Sequence, residues 1–153
     1  MKILIATDGS DFSKAAVEEC CRIAINRESE VLIVSSYEDA YPMAAEPFAV
    51  STEYYAKLDA DLRELAGTFV NQARKMIETR FPGLVISTEV LPGSAVQQII
   101  GRAEEWNADL IVLGSHGRGF WGRLLGSVSN GVIHHAPCSV LVVRKPAKKG
   151  EKT

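Results

Sequence analysis

Long apolar runs are missing from this sequence. Stretches such as Ile3 to Ala6 and Val140 to Val143 are short, against the roughly 20 residues that a spanning helix needs. No membrane segment is expected. The first run stops at Asp8, well short of a leader's apolar region, so no secretory signal is expected either. Cysteine is scarce: Cys20, Cys21 and Cys138 are odd in number and two are adjacent. That pattern excludes a disulfide framework and suits a reducing cytoplasm. The three cysteines and three histidines show no ligand spacing such as C-x2-C, which argues against zinc and leaves no metal-binding side-chain cluster.

Charge of one sign is also lacking. Seventeen basic residues face nineteen acidic ones, a net of −2. Four lysines and one glutamate in the last nine residues make that tail +3 and leave the body at −5. Such a body lacks the electrostatic footprint of a DNA or RNA binder. Catalytic signatures are equally absent: no Ser-His-Asp order, no nucleophile elbow, no paired acid and base, no reactive-cysteine context. No catalytic residue is assigned.

What remains describes one ordinary domain of 153 residues, 46% apolar and 24% charged. Strand and helix alternate. Lys2 to Thr7 reads as a buried strand, then a turn at Asp8-Gly-Ser-Asp11, where Ser10 or Asp11 caps a helix. That helix carries Ala16, Val17, Cys20 and Ala24 on one face. Glu30 to Val34 is a second strand, running into Ser35, Ser36 and Tyr37. Glu38 to Ser51, with two prolines and no period, reads as a mobile loop. Tyr55, Leu58, Leu62, Leu65, Phe69, Ala73 and Met76 then mark the apolar stripe of a long helix. Leu84 to Leu91 is the third strand. Ser94 opens a helix with Val96, Ile99, Ile100, Ala103 and Trp106 inward, and Asp109 to Leu113 is the fourth strand. Ser127 to Ala136 is a short helix, and Ser139 to Val143 the fifth strand.

Five such strands separated by helices predict an α/β fold with a parallel sheet covered on both faces. Right-handed crossovers gather the loops after the strands at one carboxyl edge, where open sheets of this kind bind ligands. Three loops meet there: Asp8 to Asp11, Ser35 to Glu38, and Gly114 to Ser127. The last holds Gly114, Gly117, Gly119, Gly122 and Gly126 between a strand and a helix. Glycines reach positive φ and let backbone amides approach an anion, while a helix start offers free N–H groups. Either this loop is a phosphate cradle, with Ser127 as cap or phosphate donor, or it is a flexible connection with ordinary caps. It is neither a Walker A loop nor a dinucleotide fingerprint.

Gly114-x2-Gly117, then Gly126-Ser127, together with Ile-Ala-Thr-Asp8-Gly-Ser and His135-Ala-Pro-Cys-Ser-Val-Leu-Val-Val143, resembles the universal stress protein family. The resemblance covers about residues 2 to 144 and leaves residues 145–153 as a basic flexible tail beyond a 1–144 domain. It implies a single open five-stranded sheet of order 3-2-1-4-5, adenine-nucleotide alpha hydrolase-like. It also implies cytoplasmic homodimers that bind ATP, often with Mg²⁺ or Mn²⁺. One departure stands out: eight residues, Arg118 to Leu125, separate Gly117 from Gly126 where the family pattern has nine.

By that resemblance Asp8 contacts the adenosine, through its carboxylate to ribose or base; its plainer role is a turn aspartate. Ala6 and Thr7 line the adenine side. Ser36 bonds the base or caps a loop. Leu113, Gly114, Gly117, Gly126, Ser127 and Val128 complete the cleft. His116 offers a phosphate donor, or only its backbone matters and its ring points to solvent. Arg118 and Arg123 neutralise phosphate or are simply solvated, and Phe120 and Trp121 form a lid or merely pack. The apolar fifth strand, Ser139 to Val143, ends the strand order and invites pairing with a second copy. Three functions are open: an ATP-binding stress-response module signalling to an unknown partner, a slow ATPase or nucleotidyl transferase, or a nucleotide-free scaffold dimer. Phosphate cradles stabilise charge, but turnover needs a positioned nucleophile that the sequence does not name, which favours binding.

Overall fold

The computed structural model describes residues 1–38, 52–117 and 124–144. The expectations for 39–51, for Arg118 to Arg123 and for the basic tail lie outside the described residues. In chain order the elements are β1 (Lys2–Ala6), α1 (Asp11–Ile23), β2 (Glu30–Tyr37), α2 (Thr52–Arg80), β3 (Val85–Pro92), α3 (Ala95–Trp106), β4 (Leu110–Gly114), α4 (Ser127–His135) and β5 (Ser139–Val143). The sheet is parallel, in the order β3-β2-β1-β4-β5. β1 is central, pairing Ile3 with Val31 on one side and with Leu110 on the other.

Alternation along the strands sorts the core into two layers. Ile3 and Ile5 of β1, with Val31 and Ile33 of β2, pack against Val17 and Cys20 of α1 and Val70 and Ile77 of α2. The intervening Leu4, Leu32 and Val34 face the other way, onto Ile99 and Ala103 of α3 and Val132 of α4. β1 and β2 therefore bury both faces, which is why their sequences are continuously apolar.

Most boundaries agree with the sequence reading, but the stripe of α2 does not. Its buried residues are Ala66, Val70, Ala73 and Ile77, while Leu65 is 42% exposed. The helix touches the sheet along small and β-branched side chains. The larger Leu58, Leu62, Phe69 and Met76 flank that seam half-buried. A periodic count finds the apolar side of a helix but weights large residues, whereas closest approach to a sheet favours small ones.

At the carboxyl end of β1 the chain turns on Gly9, whose φ is +74°. A Cβ there would stand 2.3 Å from Cδ1 of Phe69. Only glycine lets α2 lie against the β1–α1 turn.

Candidate functional site

The turn after β1, the end of β2 and the loop after β4 border a cavity of about 460 Å³, within the ordinary range for small-ligand sites. Ala6, Thr7 and Asp8 reach it from the end of β1, Ser36 from β2, and Leu113, Gly114, His116 and Gly117 from β4 and its loop. Gly126, Ser127 and Val128 enter at the start of α4. Of the cleft residues named from sequence, Arg118 lies outside the described residues.

Local hydrogen bonding explains why the β1 junction is firm. Ser10 is the N-cap of α1, its hydroxyl accepting from the Ser13 N–H at 3.2 Å. The Thr7 hydroxyl donates to Ser13 Oγ at 3.1 Å, and Ser13 donates in turn to the Ser10 carbonyl at 2.9 Å. Asp8 Oδ1 accepts the Ser10 N–H at 3.0 Å. Asp8 is thus a turn aspartate and a cavity residue at once, with its carboxylate fixed beside Gly117.

Of the two roles expected of the glycines, positive φ and close approach, Gly114, Gly117 and Gly126 show no positive φ. Their value is close approach. A Cβ on Gly114 would lie 2.7 Å from the Phe12 backbone, and one on Gly117 2.9 Å from Asp8 Oδ2. On Gly126 it would lie 3.3 Å from the Ser115 carbonyl. Gly126, not Ser127, is the N-cap of α4, which corrects the capping role expected of Ser127. As a glycine, this N-cap supplies no side-chain hydrogen bond, and the first turn of the helix borders the cavity at Gly126, Ser127 and Val128.

His116 requires the clearest correction. Its ring does not point to solvent: the residue is 8% exposed and leans on Phe12 with centroids 5.1 Å apart. Nε2 meets the Leu124 carbonyl, and Nδ1 lies 3.0 Å from Ser115 Oγ. Because a carbonyl only accepts, Nε2 carries the proton, and in the neutral ring Ser115 donates to Nδ1. The imidazole ties the two ends of the glycine loop together. Gly126 N–H donates to the Ser115 carbonyl at 2.8 Å, and Ser129 Oγ adds bonds to the same carbonyl at 3.0 Å and to Gly126 O at 2.9 Å. Gly126 and Ser127 therefore hold their place at the cavity despite the short gap.

Sequence reading missed the far wall: Leu91 of β3 and Ala95, Gln98 and Ile99 of α3 line the cavity, as do Ser13, Val34, Leu125 and Ser129. The topology contained the signal. The crossover from the edge strand β3 to β4 must pass over β2 and β1, so the first turns of α3 roof the site. Arg102, one turn beyond Gln98, forks onto Glu89 of β3 at 2.6 and 2.8 Å and fixes that roof.

Among the described residues Asp8 is the lone carboxylate of the lining, and they contain no group of three or more potential metal ligands. They provide no metal cage. A Mg²⁺ or Mn²⁺ ion would be held chiefly by the phosphates of a nucleotide, as is usual for magnesium. Burial, with the charge of Cys21, pushes the Cys20 thiol up to about 12. Burial also raises Cys21 and Cys138. No helix among the described residues is long and apolar enough to cross a membrane.

A family model for the universal stress proteins matches residues 1–144. A universal stress protein of Methanocaldococcus jannaschii is 39% identical over 149 residues, covering 97% of this chain and 84% of its own. The fold is similar to that of the universal stress protein UspA from Lactobacillus plantarum, with a TM-score of 0.79 at 27% identity, covering 94% and 97% of the two chains. It is also similar to a universal stress protein solved in complex with cAMP, with a TM-score of 0.61 at 27% identity over 94% and 95%.

Proposed function

This chain belongs to the universal stress protein family, and on that premise we propose that it binds ATP at the carboxyl edge of its sheet. The observation that carries this reading is one cavity with two unlike ends. Val34, Leu91 and Ile99 make an apolar slot for a base, while the start of α4 offers N–H groups and a positive dipole for phosphates. Asp8 stands between them, placed to accept two ribose hydroxyls. Ala6, Thr7 and Leu113 flank the adenine, Ser36 meets its edge, and Gly114, His116, Gly117, Gly126, Ser127 and Val128 frame the phosphate path. The complex of a relative with cAMP supports an adenine nucleotide as the ligand class.

The protein acts as a binding module whose nucleotide occupancy alters the surface seen by a signalling partner. No group in the described lining is placed as a nucleophile or as an acid–base pair, which supports binding over turnover. It works in the cytoplasm as a homodimer joined through β5, with the domain spanning residues 1–144. Calorimetry with ATP, ADP, NAD and FMN tests the ligand. ATP is expected to bind most tightly, and tighter binding of NAD would overturn the reading. Phosphate release under excess ATP is expected far below 1 per second; turnover of about 1 to 1000 per second would make the protein an enzyme.

A further inference from the structure

The roof of the cavity carries a polar group that the fold does not use. Gln98 of α3 lines the site beside Leu91, Ala95 and Ile99, and its carboxamide makes no hydrogen bond among the described residues. Ser36, at the end of β2, lines the same cavity, and its hydroxyl is likewise uncommitted among the described residues. Every fully buried polar side-chain atom of the described residues, by contrast, has a partner.

Three features hold Gln98 in place. Helical side chains lean toward their own N-terminus, which directs Gln98 back toward the β3–α3 junction. There Gly93, at φ +113°, has no side chain, and a Cβ on it would lie 3.2 Å from Gln98 Nε2. Gly93 is itself anchored by its N–H to the Tyr37 carbonyl at 2.8 Å, next to Ser36. One turn on, the Arg102 fork on Glu89 stops α3 from sliding.

We infer that Gln98 selects the base, its carboxamide pairing with the 6-amino group and N7 of adenine, with Ser36 supporting the same edge. This rests on the ATP-binding reading above. A carboxamide presents one donor and one acceptor side by side, which complements the N6 donor and N7 acceptor of adenine. A 6-oxo purine offers two acceptors on that edge and leaves the Gln98 oxygen facing another oxygen or N7. Glutamine is therefore a specificity-determining residue here and takes no part in holding phosphate.

ITP differs from ATP at the 6-position and lacks the amino group, so the pair is the probe. Calorimetry should give wild-type protein a preference for ATP over ITP of at least about tenfold. In Gln98→Leu, ATP affinity should fall while ITP affinity changes little, bringing the ratio to within about threefold of unity. Gln98→Asn, which keeps the polarity but shortens the reach, should lose the preference too, and unchanged thermal melting of both variants shows that the roof is intact. Ser36→Ala should lower the ratio less. Wild-type ATP binding with a ratio unmoved by both Gln98 variants would overturn this inference alone. Failure of the wild type to bind ATP would overturn the proposed function and this inference with it.

Discussion

The bare face of Gly117 abuts the carboxylate of Asp8. A Cβ built on Gly117 would stand 2.9 Å from Asp8 Oδ2, so the loop after β4 and the turn after β1 leave no room for one methyl group between them. Gly117→Val should therefore displace Asp8 and weaken ATP binding more than about tenfold, which is about 1.4 kcal/mol. Asp8→Ala should weaken it as well, and the double variant should bind no worse than Asp8→Ala. Additive losses in that cycle would mean that Gly117 acts independently of Asp8.

The short gap between Gly117 and Gly126 makes a second expectation. Were the segment a rigid helix, one missing residue would turn the start of α4 by about 100° and shift it about 1.5 Å. Instead Gly126 is bonded to Ser115, and His116 spans to Leu124, so both ends of the loop are fixed. Natural protein should bind ATP, and inserting one Leu after Leu125 should tighten binding by no more than about tenfold. If the insertion variant binds and the natural protein does not, the loop is a broken cradle.

Fold class and the sheet edge where the cavity opens were legible in the sequence for a local reason, whereas the strand order followed from the family resemblance. Two-sided burial makes strands such as Val31 to Val34 continuously apolar, and Asp8-Gly9 or Gly114 mark where each strand ends. The features that escaped depend on partners distant in sequence. The His116 ring is buried because Phe12 lies under it, the loop glycines are needed because Phe12 and Asp8 crowd them, and Gln98 reaches the site only because α3 crosses over the central strands. No window of neighbouring residues contains those pairs.

Burial of Cys20 predicts alkaline sensitivity. Its folded thiol is held near 12, against an ordinary 9.0. Below pH 9 the proton is bound in both states and nothing is lost. Between 9 and 12 the unfolded chain releases it while the folded protein does not, so stability falls as pH rises, by at most about 1.4 kcal/mol per pH unit. Urea denaturation at pH 8 and pH 10 should show a larger loss for the natural protein than for Cys20→Ala. Parallel losses would remove Cys20 as the cause.

β5 is the last strand of the sheet and its outer side pairs with no other described strand. Velocity sedimentation at micromolar concentration should give a species of twice the 16.7 kDa chain mass. Ser139→Lys, at an exposed position of that strand, should shift it to a monomer by placing charge on the pairing edge. A natural protein sedimenting as a single chain would eliminate the dimer in that range.

The central position of β1 has a kinetic consequence. Ile3 pairs with Val31 early but with Leu110 only after more than a hundred residues have intervened, and closing so long a span delays folding. The half from β1 to β3 can assemble first, leaving one side of β1 open until β4 arrives. The nucleotide cradle, which needs Gly126, comes later still. Ligand is then expected to find no site in the folding transition state, so saturating ATP should slow unfolding and leave the folding rate unchanged. A folding limb accelerated by ATP would show that the cradle forms early. A cradle completed last makes its ligand a brake on unfolding and no help to folding.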